Sequence, residues 1–325
     1  MSDFRWGILA SGGIAKSFAR DLQGLEGHIV AAVGSRSIES AQAFAQEFPS
    51  ATAYGSYEEL VNSDVDAIYV ASPHIHHAEH ALLALNAGKP VLCEKAFTIN
   101  AREAKLVIDR AHELHLPLME AIWTRFLPHI AHVREIIASG VLGEITQVVA
   151  DHGQYIPYEK AARLWEPHLG GGALLDLGIY PLTIVDIALG SPSCITATGV
   201  LTDKGVDLHS SAILTYDNGA QAIITSTMAS RSAVTAVITG TKARLEFGEI
   251  FYKPTSMRLI TREGAITEYP NTYTHLGLRE EAIEFARIVR AGLTESPLMP
   301  HSKTLEMMQI MDEIRSQIGV KYPTE

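Results

Sequence analysis

The stretch FRWGILASGGIAKSF, residues 4–18, decides the fold, because a short apolar run breaks there into a glycine pair and passes straight into a helical pattern. Trp6 to Leu9 have the length of a buried strand, Ala10 to Gly13 make a tight turn, and Ile14, Phe18 and Leu22 fall on one helical face. A strand, a glycine turn and a helix in that order aim backbone N–H groups and the positive end of a helix dipole at one point, which suits the pyrophosphate of a dinucleotide. Against the pattern G-x-G-x-x-G/A the stretch reads A-S-G-G-I-A, with Ala10 where the first glycine belongs. An alanine at that point is expected to keep φ below zero. Taken alone, the turn suits an ordinary strand–helix–strand unit as well as it suits a nucleotide.

Working outward, His28 to Gly34 (HIVAAVG) is an apolar run of strand length that ends in Ser35-Arg36-Ser37. Dinucleotide folds place an acidic residue here to accept from the ribose 2′-hydroxyl, whereas a 2′-phosphate wants hydroxyls and a guanidinium. Ser35, Arg36 and Ser37 fit the phosphate, so NADP(H) is expected ahead of NAD(H). Ser37 would serve equally as the cap of a helix over residues 38–48. Next come a short helix from Tyr57 to Asn62, a strand Ala67 to Ala71 stopped before Pro73, and a helix His77 to Ala87 closed by Gly88. A strand Val91 to Glu94, a helix from Asn100 to His115 and a strand Pro117 to Ala121 follow. This alternation predicts a parallel, doubly wound sheet over residues 1–121, with its ligand beyond the carboxyl ends of the strands. Those ends carry Ala10, Ser11, Gly12, Gly13 and Ile14; Ser35 to Ser37; Ala71, Ser72, Pro73 and His74, with His77 just after; Glu94 and Lys95; and Ala121, Trp123 and Arg125. All of these, and Arg163 from further along the chain, are expected to face the cofactor.

From residue 122 onward the character changes. A helix His129 to Ser139 is followed by strand-like runs at Ile145 to His152, Ile195 to Leu201, Ser211 to Tyr216, Ala220 to Met228 and Ala233 to Gly240, with Asp217-Asn218-Gly219 as a hairpin turn. They predict a second α/β domain, residues 122–325, built on a large and mostly antiparallel open sheet. Helices return at Arg279 to Ala291 and Ser302 to Ile318. Along the run Ala220 to Met228 neither face is strongly polar, so the sheet needs cover on both sides and a homodimer through it is expected.

The 325 residues carry 37 acidic against 26 basic side chains, a net charge of -11. That balance opposes a general affinity for nucleic acid or anionic membrane. No apolar run is read as a membrane span or signal peptide, and the chain is expected to be cytoplasmic. Cys93 and Cys194 lie far apart with no ligand spacing, so neither a disulfide nor a metal site is expected. His74, His76 and His77 form a dense cluster after a strand, but no carboxylate partner is read beside them, and contacts to the cofactor or helix capping are preferred.

Two stretches carry acid–base chemistry. Lys95, in CEKA after a buried strand, would put its ammonium at the functional edge of the sheet. GGGALLDLGIYPLTIVDIAL, residues 170–189, opens with three glycines and places Asp176 and Tyr180 four apart on a helical face, where Pro181 should kink or restart the helix. A phenol can give a proton to a carbonyl oxygen as hydride arrives, but its free pKa of about 10 is too high for easy exchange near neutrality. A nearby lysine cation lowers it. Trp123, Tyr155 and Trp165 are candidates, with Asp176 and Tyr180, to wall a substrate pocket, or else plain core.

The motifs together resemble the glucose-fructose oxidoreductase/inositol dehydrogenase/MocA family nearly end to end. They are WGILASGGIA, GSRS, ASPHIHHAEHALLAL, CEKA, MEAIWTRF, GGGALLDLGIYP and the closing DEIR. The resemblance implies a Rossmann domain followed by an α/β domain with an open sheet, often used for dimerisation, and oxidation or reduction of sugars and related compounds with a nicotinamide cofactor. EAIWTRF with DLGIYP is most similar to dimeric dihydrodiol dehydrogenases and NADP-dependent D-xylose dehydrogenases, which implies Tyr180 as acid/base, Lys95 as its activator and Asp176 as the residue that orients the site. Ala96 stands where the family usually has proline, and Tyr180 where many members have histidine. An NAD-dependent glycosidase of the same superfamily and a cofactor-binding sensor without chemistry are the alternatives.

Overall fold

The computed structural model describes residues 2–323 and 325. They divide into two compact units, residues 1–123 with 275–305, and residues 124–274 with 306–325. The first unit holds six strands, β1 (Phe4–Leu9), β2 (His28–Gly34), β3 (Thr52–Tyr54), β4 (Ala67–Val70), β5 (Val91–Glu94) and β6 (Leu118–Ala121), in the spatial order β3-β2-β1-β4-β5-β6. Every pairing in it is parallel. The connecting helices are α1 (Gly13–Leu22), α2 (Ile38–Ala45), α3 (Tyr57–Val61), α4 (His77–Asn86) and α5 (Ala101–Leu114). The strand order reverses between β1 and β4, and open α/β sheets take their ligands at the carboxyl edge of such a point.

Local chemistry sets the ends of these helices. Ser37, Ser56 and Asn100 each accept from a backbone N–H three residues on, which fixes the starts of α2, α3 and α5. Two expectations for the opening stretch fail. Ala10 has φ 82°, the left-handed value of a fingerprint glycine, while its N–H donates to Gly34 at 3.0 Å. The chain must turn from strand to helix while keeping that ladder bond, and the turn imposes its backbone on whichever residue stands there. Ile14 is 39% exposed; the buried face of α1 runs through Ala15, Phe18, Ala19 and Leu22, one residue round from the expected stripe.

The second unit opens with α6 (Pro128–Ala138) and β7 (Ile145–Gly153), and a π-helical turn, Leu174–Gly178, leads into α7 (Ile179–Leu189). The strands β8 (Cys194–Leu201), β9 (Asp207–Thr215), β10 (Gln221–Thr227), β11 (Ala236–Gly240), β12 (Ala243–Phe247), β13 (Met257–Thr261) and β14 (Ile266–Tyr269) then complete an eight-stranded sheet ordered β14-β13-β12-β11-β7-β10-β9-β8. Only β7 and β10 pair in parallel. The turn at residues 217–219 joins β9 to β10, with the Gly219 N–H on the Tyr216 carbonyl. Four strands escape the sequence reading. β3 has three residues, and β12 to β14 interrupt their apolar runs with charged side chains; Glu246 pairs with Arg244 on its own strand and with Arg258 on the neighbouring one.

The stretch Pro167–Leu189 is long and apolar enough to span a membrane, contrary to the reading above; here most of it is buried inside the protein, as a core helix is. Its π turn has a local cause. Pro181 lacks an N–H and its ring crowds the carbonyl four residues back, and widening the preceding turn relieves both. α8 (Leu278–Arg290) belongs to the first unit, where Phe285 and Phe18 flank the fully buried Trp6. The Trp6 indole donates to His28 Nδ1 at 3.2 Å, which needs a neutral ring, and burial with the Arg290 charge pushes His28 down to about 4. Asp21, buried on α1, accepts the Gly277 and Arg279 N–H groups at 3.0 and 2.9 Å and so caps α8 from outside it. The last helix is α9 (His301–Ile318).

Candidate active site

At the switch point the glycine turn is open. A methyl group added to Gly12 or Gly13 would meet no atom within 4 Å, so a ligand can approach the first N–H groups of α1 there. Ser11 and Ser35 face each other across the ends of β1 and β2 with hydroxyls 3.3 Å apart. Arg36 is exposed, and Ser37 takes the capping role as well. A pyrophosphate and a ribose phosphate fit these residues: open main-chain donors, two hydroxyls and a guanidinium with room to move.

The turn after β5 is held from all sides. Glu94 accepts the Lys95 N–H at 3.1 Å and the Tyr69 hydroxyl, and Glu120, at the matching level of β6, accepts the Phe97 N–H at 3.0 Å. His77 reaches the Ala96 carbonyl through Nδ1 at 2.8 Å and the Ser72 carbonyl through Nε2 at 2.7 Å. Its ring is 1% exposed and both nitrogens are spent on main chain, so His77 braces two loops and has none left for a cofactor. Lys95 is half-buried on this turn, and the Lys95–Ala96 peptide is cis. Ala71, Ser72, His74 and Ala121 are buried around it, Ala71 continuing the ladder to Leu9. Below lies Glu281 of α8, fully buried with neither oxygen hydrogen-bonded; burial and the charges of Glu94, Asp21 and Glu120 push it far above the usual carboxylate range.

A carboxylate does stand among the histidines. His76, Glu79 and His80 each bring one ligand atom within 4.8 Å of the others, because α4 starts there and puts Glu79 and His80 three and four residues after His76. His80 Nδ1 is 2.9 Å from the Ser72 hydroxyl, and Arg36 lies close enough to help burial hold His80 down to about 4, a positive neighbour that disfavours a cation.

In the second unit Tyr180 is buried in the first turn of α7, its ring tilted against Tyr252 at 4.5 Å and His152 at 5.2 Å. His152 and Tyr252 stack at 4.4 Å, His152 Nδ1 lies 3.1 Å from the Leu177 carbonyl, and Gln154 links the His152 ring to the Tyr252 hydroxyl. Asp176, half-buried, accepts from Arg163 at 3.1 Å. Asp207, fully buried, accepts the Leu174 N–H at 2.7 Å at the head of the π turn, and the Tyr322 hydroxyl donates to Gly171 at 2.6 Å. Gly172 has φ 116°, and a side chain there would strike the Asp207 carboxylate, which is why glycine opens this segment.

The remaining expected residues are dispersed. Trp165 donates to the Ile156 carbonyl and packs on the cluster of Ile156, Leu164, Leu177 and Met228, as core does. Tyr155 is 63% exposed. Arg125 is buried on Asp186 at 2.5 Å. Trp123 is buried at the end of the first unit. Glu120, His152, Asp207 and Tyr252 went unread. His152 alone carried a signal: a histidine near the end of a strand-like run.

A 3-2-1-4-5-6 parallel sheet with an open glycine turn at its switch point defines a dinucleotide-binding protein of the doubly wound class. Residues 4–122 match the family model of the oxidoreductase family with NAD-binding Rossmann fold, and residues 130–246 match that of the GFO/IDH/MocA C-terminal domain. The chain belongs to this oxidoreductase family. It is 38% identical to a trans-1,2-dihydrobenzene-1,2-diol dehydrogenase of Danio rerio over 98% of both chains. It is 34% identical to a D-xylose 1-dehydrogenase (NADP(+)) of Hypocrea jecorina over 98% of this chain and 93% of that one. Among solved structures, KijD10, a 3-ketoreductase from Actinomadura kijaniata in complex with NADP and TDP-benzene, superposes with a TM-score of 0.87 at 26% identity over 98% of each chain.

Proposed function

We propose that this protein is an NADP-dependent oxidoreductase that moves hydride between the nicotinamide and a hydroxyl- or carbonyl-bearing carbon of a sugar or a cyclic trans-diol. The observation that carries the reading is Lys95, an ammonium on a fully braced turn at the carboxyl edge of a dinucleotide sheet. The names of the relatives support the substrate class and the cofactor. Gly12 and Gly13 give the pyrophosphate room; Ser35, Arg36 and Ser37 take the ribose phosphate. The cofactor supplies the hydride. Tyr180 holds the proton exchanged with the substrate oxygen, Lys95 keeps that proton within reach near neutral pH, and Asp176, fixed by Arg163, orients the substrate.

Turnover of an aldose and diol panel with NADP and NAD tests the activity; no turnover with any member would sink it. Arg36→Ala should lose a charge-assisted hydrogen bond worth roughly 1.5 to 3 kcal/mol toward the 2′-phosphate. Titrations should then show weaker NADP and unchanged NAD, and equal weakening of both would reject the role of Arg36.

The second sheet supports an assembly of copies. Ala222, Ile224 and Ser226 of β10 are buried, while Ile223 lies on the other face in register with Ile213 and Val149, themselves 44% and 39% exposed, and Val149 with Val237. This apolar row across four strands supports a homodimer that covers it; light scattering showing a monomer at micromolar concentration would remove the idea. Cys93 and Cys194 are both free, which supports a cytoplasmic setting.

A further inference from the structure

His77 has a bonding problem that only one protonation state solves. Nδ1 is 2.8 Å from the Ala96 carbonyl oxygen and Nε2 is 2.7 Å from that of Ser72. A carbonyl oxygen accepts and never donates, and a neutral imidazole has one N–H. Either neutral tautomer would therefore press a nitrogen lone pair against a carbonyl lone pair inside the protein, with no water to intervene. The imidazolium donates to both. We propose that His77 is a buried imidazolium that ties the loop after β4 to the turn after β5 and thereby positions Lys95.

The surroundings pull in two directions. Burial favours the neutral ring, driving it toward about 4, and the two carbonyl bonds oppose that. The titratable groups facing His77 from its own segment are His74, edge-on at 5.5 Å between ring centres, and His80, whose charge would repel it. The turn after β5 that His77 grips also carries Cys93, Glu94 and Lys95, and Glu120 of β6 holds the same turn at Phe97. Burial drives the Cys93 thiol up, so it stays neutral, and likewise His80 stays neutral because burial lowers it. Glu94 and Glu120 accept the N–H groups of Lys95 and Phe97 while His77 donates to the carbonyl of Ala96 between them. The turn is thus clasped by two carboxyl groups on its N–H side and by His77 on its C=O side. The bonding geometry decides, because two contacts under 3 Å to obligate acceptors leave a neutral ring no satisfied arrangement.

His77 is a positioning residue, and its effect on turnover rests on the role given above to Lys95; its charge does not. Long-range 1H–15N correlation spectra of 15N-histidine-labelled protein at pH 7 to 8 read the charge directly, with His77 identified by the signal missing from His77→Gln. If that variant does not fold, identification comes from His76→Gln, His80→Gln and the other single replacements, by subtraction. Two protonated-type nitrogens that do not titrate through pH 8 are expected. One unprotonated-type nitrogen overturns the imidazolium. Glutamine can donate to only one of the two carbonyls, so His77→Gln should lower kcat by roughly 10- to 100-fold through misplacement of the lysine, with KM for the substrate little changed. It should add little in a Lys95→Met background; full additivity there, or unchanged kcat in the parent, overturns the positioning role. Normal kcat in Lys95→Met alone would instead refute the role of the lysine and leave the spectra to decide the charge.

Discussion

The turn that carries Lys95 and the segment that carries Tyr180 are built by opposite means. Around Lys95 each fixed point is a hydrogen bond between main chain and an ionisable side chain: Glu94, Glu120 and His77. Around Tyr180 rings pack on the phenol, Tyr252 and His152, while Asp207 and the Arg125–Asp186 pair hold the segments on either side of it. A lysine stem has many rotamers, so the protein fixes its base by fixing the backbone. A tyrosine has a rigid ring, so packing on its face is enough. Deleting a functional atom near Tyr180 should therefore leave the fold alone, while deleting a partner of a buried charge should not.

The sharpest expected effect follows from this. Tyr180→Phe keeps the ring that Tyr252 and His152 touch and removes the hydroxyl proposed above to exchange the proton. It should cut kcat by about 10² to 10⁴ while NADPH affinity and melting temperature stay close to those of the parent. A near-normal kcat, with hydride transfer shown to be rate-limiting by a deuterated cofactor, would pass the proton role to another group.

Asp186→Ala probes the ionic end of the same helix. Its carboxylate and Arg125 are both buried, and removing one partner strands the other charge, so a loss of about 3 to 5 kcal/mol is expected in urea unfolding. A loss no larger than that of a surface substitution would mean that the pair is solvated in solution.

A smaller effect separates acid from neutral stability. His28 is held down to about 4 against an ordinary 6.5, so the unfolded chain binds more protons between these values. The stability His28 contributes is whole above pH 6.5 and is lost as pH falls toward 4. Asp207, raised to about 7 by burial, acts in the opposite sense and favours the fold as pH falls from 7 toward 4. His28→Gln keeps an acceptor for Trp6 without titrating. The drop in urea midpoint between pH 7 and pH 5 should therefore be smaller in the variant than in the parent, and equal drops would remove His28 as a source.

Most of the fold was legible because apolar period and punctuation agreed. β2 and β5 run from His28 to Gly34 and from Val91 to Glu94 as read, and Asn100 and Gly88 bound their helices as expected. β12 to β14 were lost where charges interrupt short runs. The candidate site could be read wherever a residue stands in a local motif, as Lys95, Asp176 and Tyr180 do. It was illegible where the work is tertiary. Glu120 inside a strand, Asp207 at a strand start and Tyr252 in a loop gain meaning only from what lies across from them, and no local spacing encodes that. Ile14 shows a milder failure: its periodicity was right to within one residue, and one residue was enough to turn it from the core to solvent.

Ala10 is the smallest test and bears on why the glycine turn reads so poorly. It occupies a φ of 82°, where the Cβ crowds its own backbone, so the side chain costs about 1 to 2 kcal/mol without making the turn any different from the fingerprint's. Ala10→Gly should relieve that strain and also loosen the unfolded chain, two effects of opposite sign. Relief is the larger, since the alanine penalty of about 1 to 2 kcal/mol at this conformation exceeds the roughly 0.4 to 1 kcal/mol that alanine gains over glycine where the conformation suits both. A net gain of up to about 1 kcal/mol in the urea unfolding free energy is the expected result, with NADP affinity unchanged, because the N–H on Gly34 and the open face at Gly12 and Gly13 are the same in both. Destabilisation by the glycine would mean that the methyl group makes packing contacts worth more than the strain, and the turn would then be adapted to alanine rather than merely tolerating it.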